Sequence, residues 1–118
     1  MDKANNKKEL KEKYRQMKPE MGVFAYKCLP TGKVYLGFGQ NIKAEVNGIS
    51  FQLRAGRHSA NKNLQEDWKR HGESGFEISV LEMLAYDKDE SKSDYGDDLR
   101  MLREFCAEKF ADFEYIKK

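Results

Sequence analysis

The chain has very little of what metal clusters, disulfide scaffolds and membrane spans are built from. Its 118 residues include two cysteines, two histidines, two prolines and one tryptophan. Cys28 and Cys106 lie far apart and share no metal-ligand spacing, which excludes a CxxC-type zinc site. The pair suits two buried thiols of a cytosolic protein better than a disulfide. No segment approaches the roughly 18 consecutive apolar residues of a membrane helix, so no membrane partner is expected. The opening Met1-Asp-Lys-Ala-Asn-Asn-Lys-Lys is polar, which argues against a secretory signal and for a cytoplasmic protein. Internal repeats and low-complexity tracts are absent too.

What remains is the composition of a globular protein, 36% charged and 12% aromatic. The length suits one domain and is too short for two. The net charge of +2 hides an asymmetry. Residues 1–20 carry seven Lys/Arg against four Asp/Glu, a net +3, and residues 21–72 carry eight against three, a net +5. Residues 73–118 carry seven against thirteen, a net −6. A basic first two-thirds suits a polyanionic partner.

Residues 3–18 read as an exposed helical arm ending before Pro19, with Leu10, Tyr14 and Met17 on one narrow stripe. The division expected is an arm over 1–20 and a single domain over 21–118. Val23 to Cys28 alternates as a strand, with Val23, Ala25 and Lys27 on one face and Phe24, Tyr26 and Cys28 on the other. Leu29-Pro-Thr-Gly32 is turn chemistry and Lys33 to Phe38 the return strand, so 22–38 reads as a β-hairpin. Asn41 is placed to cap a helix reaching about Ala55, with Ile42, Val46, Ile49 and Leu53 on one face. Gly48 inside it costs about 1 kcal/mol against alanine, so a frayed or broken centre is expected. A second helix spans about 61–71, burying Leu64 and Trp68, with His71 as a capping residue at its end. A third strand covers about 76–82, an acidic loop follows over 86–98, and a last helix lies near 98–110. The tail after Asp112 reads either as a short strand through Phe113 and Tyr115 or as a fold-back onto the core. This order predicts an α+β fold, a small three-stranded antiparallel sheet flanked by helices.

The segment from Gly22-Val23-Phe24 to Tyr35-Leu36-Gly37 resembles the opening hairpin of the GIY-YIG nuclease family, and the resemblance extends over about 21–110. Hydrolysing a phosphodiester needs a base for water, a cation for the developing charge on phosphate, and usually a carboxylate-held metal. The resemblance implies that a hairpin tyrosine, an arginine on the first core helix and a glutamate on the last fill these roles. Tyr35 matches the second motif tyrosine. The first reads Phe24, which has no oxygen to take a proton. Tyr26, two residues on along the same strand face, is displaced from that position. The arginine position reads Glu45, which reverses the sign of any interaction with phosphate. Lys43 and Arg54 point elsewhere on the helical wheel.

Gly56-Arg57-His58-Ser59 and the following Asn61 to Gly72 resemble the family's histidine segment, so His58 is the matching histidine. Arg103-Glu104 resembles the pair in which the glutamate binds metal, which makes Glu104 a candidate Mg²⁺ ligand, with Glu108 as fallback. One carboxylate holds Mg²⁺ only if substrate phosphate and water complete the shell. Tyr35 and His58 are the candidate catalytic residues, and Lys33, Arg54, Arg57, Lys62 and Lys69 the candidate nucleic-acid contacts. The expected function is a nuclease-like domain that binds nucleic acid, DNA above all, with absent or impaired cleavage. Two other readings stay open: an active Mg²⁺-dependent endonuclease using Tyr35, His58 and Glu104, and a protein-interaction module keeping only the fold. Without a separate recognition domain, strong site specificity is not expected.

Overall fold

The computed structural model describes residues 18–117, so nearly all of the expected helical arm lies outside the described residues. From Met21 onward the elements run β1 (Met21–Cys28), β2 (Val34–Gly39), α1 (Ile42–Arg54), α2 (Lys62–His71), a 3-10 turn (Glu73–Gly75), β3 (Phe76–Leu84), α3 (Gly96–Ala107) and β4 (Phe113–Tyr115).

The hairpin closes as its residues dictate. Gly32 sits at φ +79°, a conformation that side chains disfavour, and its N–H donates to Cys28 O at 2.7 Å. In the β1–β2 register Tyr26 faces Tyr35, and Phe24 faces Gly37. A Cβ on Gly37 would fall 2.6 Å from the Phe24 ring, so this glycine makes room for the aromatic opposite. Gly22 is needed for another reason. The β1–β3 pairing slips between Val23 and Phe24, and a Cβ at Gly22 would sit 2.1 Å from the Glu82 carbonyl oxygen.

The sheet has four strands in the order β3-β1-β2-β4, which corrects the expected three-stranded antiparallel sheet. β1 is antiparallel to β2 and β3, whereas β4 is parallel to β2. Its pairing runs through Val34 N–H to Asp112 O at 3.1 Å and Ile116 N–H to Leu36 O at 2.7 Å. Of the two sequence readings of the tail, the strand is the one adopted. β3 also runs two residues past its expected end.

Both faces of β1 are covered, which leaves Lys27 as its one exposed residue. Phe24, Tyr26, Cys28 and Tyr35 pack under α1 and α2 with Ile49, Leu53, Leu64 and Trp68. Ala25, Val34 and Leu36 pack against Ala107, Leu81 and Phe110 on the α3 side. A third cluster joins Met21, Tyr95 and Leu99. Truncating a core residue such as Leu64, which has no exposure, costs about 2–5 kcal/mol.

Asn41 caps α1 as expected, its Oδ1 accepting from Ala44 N–H at 3.1 Å. The helix runs unbroken through Gly48, against the expectation of a frayed centre. The reason is tertiary. The Tyr26 hydroxyl donates to Val46 O at 2.9 Å and lies 2.7 Å from Ser50 Oγ, pinning α1 on both sides of the glycine. At the end of α2, Gly72 makes the closing bond to Trp68 O, with φ +74°, while the His71 Nε2 is buried without a partner among the described residues. α3 starts and stops two to three residues earlier than its expected 98–110.

Candidate nucleic-acid interface

The hairpin places three aromatics on one face, and none presents an available hydroxyl. Phe24 is almost fully buried and has no oxygen. Tyr26 is buried in the α1 contact, and burial first of all raises the pKa of its hydroxyl. Tyr35 is fully buried, and its hydroxyl donates to Asp67 Oδ2 at 2.5 Å on α2. Burial, then the bond to Asp67 and its charge, push the Tyr35 pKa far above that of an ordinary tyrosine. A phenol held this way keeps its proton and makes a poor base.

A cavity of about 420 Å³ lies over the end of the hairpin, walled by Phe24, Gly37, Glu45, Arg100, Arg103, Tyr115 and Lys117 among others. Glu45 is folded against the end of β2, so that a Cβ on Gly39 would come within 2.4 Å of its Cγ. Opposite it stand two arginines from α3. Arg100 and Arg103 are three residues apart and share a helix face. The Arg103 guanidinium lies 3.9 Å from the Tyr115 ring centroid and 4.8 Å from that of Phe38. Burial lowers its pKa, and its Nε is buried without a hydrogen-bond partner among the described residues. In this cavity the carboxylate comes from α1 and the guanidinium groups from α3. Sequence reasoning passed over Arg100 and Lys117, and named Arg103 beside Glu104 without giving it a contact of its own. The i, i+3 spacing of the arginines was the available signal, but only β4 brings Lys117 and Tyr115 to the same wall.

A second cavity, of about 430 Å³, shares Glu45, Ile49 and Lys117 with the first and adds Gln52, Arg57 and His58. A third, of about 290 Å³, shares Arg57 and His58 with the second and adds Lys62, Lys69 and Glu66. Adjoining walls therefore string Arg100, Arg103, Lys117, Arg57, Lys62 and Lys69 along one side, with Glu45 and Glu66 as the carboxylates in those walls. Three of the five cations proposed from sequence, Arg57, Lys62 and Lys69, come together here. The other two are engaged elsewhere. Arg54 forms a forked pair with Glu73, with NH2 2.5 Å from Oε1, and Lys33 lies 3.6 Å from Glu114 and over the Tyr35 ring.

His58 is 3% exposed and sits within a set of side-chain amides. Its backbone N–H donates to Gln65 Oε1 at 2.8 Å, and its ring nitrogens lie 3.0 Å from Gln52 Oε1 and 3.4 Å from Asn61 Oδ1. Asn61, at the N-cap of α2, makes no cap bond with its side chain and grips β4 instead. Its Nδ2 donates to Glu114 Oε2 at 2.8 Å and Tyr115 O at 2.9 Å, and its Oδ1 accepts from Lys117 N–H at 2.6 Å. Burial raises the Glu114 carboxyl, but hydrogen bonds from Asn61 and Asn63 and the Lys33 charge outweigh it, leaving the pKa below its ordinary value.

Tyr35, His58 and Glu104 do not meet in one cavity. Glu104 is exposed on α3 and lines none of the three cavities above, and nor does Tyr35. Among the described residues no group of three or more His, Cys, Asp and Glu side chains could hold a metal ion. A Mg²⁺ ion at Glu104 would have no group of such side chains around it, so substrate phosphate and water would have to complete its shell. No helix among the described residues is long and apolar enough to cross a membrane.

No protein-family model and no curated protein matches the chain. Solved structures do match. The catalytic domain of the homing endonuclease I-TevI is 25% identical, with a TM-score of 0.63 over 83% of this chain and 99% of that one. A mutant of the catalytic domain of the intron endonuclease I-TevI is 27% identical, with a TM-score of 0.59 over 76% of this chain and 82% of that one.

Proposed function

Because this chain has the GIY-YIG-like fold of a homing-endonuclease catalytic domain, we propose that it is a nuclease-derived domain that binds nucleic acid, DNA in the first instance, and cleaves it poorly or not at all. One observation carries the reading. At the hairpin cavity the chain offers Phe24 and Glu45, and the hairpin hydroxyls of Tyr26 and Tyr35 are hydrogen-bonded elsewhere. Loss of one group that stabilises the transition state commonly costs about 10²–10³ in rate, and here a base and the helix cation are replaced together. The run of cations from Arg103 to Lys69 supports retained binding, since cations lined up along adjoining walls suit a phosphate backbone. GIY-YIG nucleases are typically dependent on a divalent metal, so Mg²⁺ belongs in the assay.

The test pairs binding with cleavage. Labelled duplex should bind at low salt and release steeply as salt rises, with Arg57→Ala, Lys62→Ala and Lys69→Ala each reducing the salt slope by about one. Cleavage with Mg²⁺ should be weak or absent and should rise in the Phe24→Tyr, Glu45→Arg double variant more than in either single one. The gain is bounded, because an arginine at 45 joins Arg100, Arg103 and Lys117 in one cavity. Robust wild-type cleavage, lost on Glu104→Ala, would establish an active nuclease instead. Absence of binding at low salt would leave an interaction module.

A further inference from the structure

We propose that the cavity between Glu45 and α3 is a binding site for a phosphate monoester, the charged end of a nucleic-acid strand rather than its internal diester backbone. The proposal rests on the nucleic-acid reading above and brings in Arg100 and Lys117, which lie outside the matched motif. Three cations, Arg100, Arg103 and Lys117, line one open cavity of about 420 Å³ whose described lining holds one carboxylate, Glu45, and Arg100 is also paired with Asp97 at 3.2 Å. A diester carries a single negative charge. A terminal phosphate carries close to two at neutral pH and three acceptor oxygens, and so answers such a cluster better.

The second observation is independent of charge counting. Of the buried side-chain polar atoms among the described residues, two have no hydrogen-bond partner, and one of them is Arg103 Nε. A buried donor without an acceptor costs free energy and asks for an explanation, and a ligand oxygen supplies one. The Arg103 guanidinium lies against the Tyr115 and Phe38 rings, and its planar fork suits a two-point contact with phosphate. Lys117, carried by the chain after β4, stands at the junction with the Arg57 wall, so a strand whose end lies in the cavity can run on toward Lys62 and Lys69.

The test compares one short duplex with 5′-phosphate, 3′-phosphate and hydroxyl ends by fluorescence anisotropy. Inorganic phosphate and a nucleoside monophosphate are titrated separately by NMR. One phosphorylated end should bind roughly tenfold tighter than the hydroxyl end, the factor that one added charge-assisted hydrogen bond supplies. Arg100→Gln and Lys117→Gln alter exposed side chains and should erase that preference while the fold stays intact by circular dichroism. Arg103→Lys keeps the charge, loses the fork and should weaken the preference as well. Equal affinity for all three ends, with salt-dependent binding preserved, overturns this proposal and leaves the function proposed above standing. No duplex binding, but mononucleotide shifts centred on Arg103 and Tyr115, overturns the nucleic-acid reading and assigns the same site to small phosphate monoesters.

Discussion

Replacing Asn61 by alanine tests whether one buried amide holds the fourth strand in place. The side chain is 3% exposed and makes three short bonds to the β4 segment, to Glu114, Tyr115 O and Lys117 N–H. Glu114 keeps Asn63 at 2.9 Å and Lys33 at 3.6 Å, so its loss is partial. Tyr115 O and Lys117 N–H are the backbone groups left without this partner, and His58 Nε2 loses its 3.4 Å neighbour as well. Each unsatisfied backbone group costs about 1–2 kcal/mol, giving a destabilisation of about 2–4 kcal/mol in all. No cap bond is lost, because the Asn61 side chain makes none. For a domain of this size about 1 kcal/mol shifts Tm by roughly 4–8 °C, so a fall of roughly 8–32 °C is expected. Urea unfolding measures the energy, and amide exchange at Ile116, whose N–H donates to Leu36 O, locates it. A loss under about 0.5 kcal/mol, the range of ordinary surface substitutions, would refute the clamp. So would a large loss with the protection of Ile116 unchanged.

Three further outcomes follow from particular contacts. Gly48→Ala should raise stability by about 0.5–1 kcal/mol in urea unfolding, since the position is helical and a Cβ there meets nothing within 4 Å. Tyr35 has its pKa raised by folding, so its contribution is complete below pH 10 and declines as pH rises above it, where the unfolded chain gives up the proton first. Alkaline unfolding curves of Tyr35→Phe should therefore be flatter above pH 10 than those of the wild type. Glu114 has a depressed pKa, so its contribution is present above about pH 4.3 and is lost as pH falls through the folded value. In acid titrations followed by circular dichroism, Glu114→Gln should be less stable near neutrality and lose less below pH 4.

The sequence by itself determined the parts of this protein that are local. The Leu29 to Gly32 turn, the alternation of β1, the Asn41 cap and the Leu64–Trp68 spacing all rest on neighbours within a turn or two, and each is found where the residues put it. Phe24, Tyr35, Gly37 and Glu45 were singled out by resemblance to the GIY-YIG nuclease family and not by any local pattern. Tertiary structure decided what depends on distant partners. Gly48 stays helical because Tyr26, more than twenty residues earlier, holds the turns beside it. A three-residue strand such as β4 carries too weak a pattern to specify itself, and it exists because Asn61 and the open edge of β2 receive it. The cavity of Arg100, Arg103 and Lys117 opposite Glu45 draws on α1, α3 and β4 at once. No local periodicity encodes which charges will share a cavity, because that depends on how helices and strand pack across the sheet.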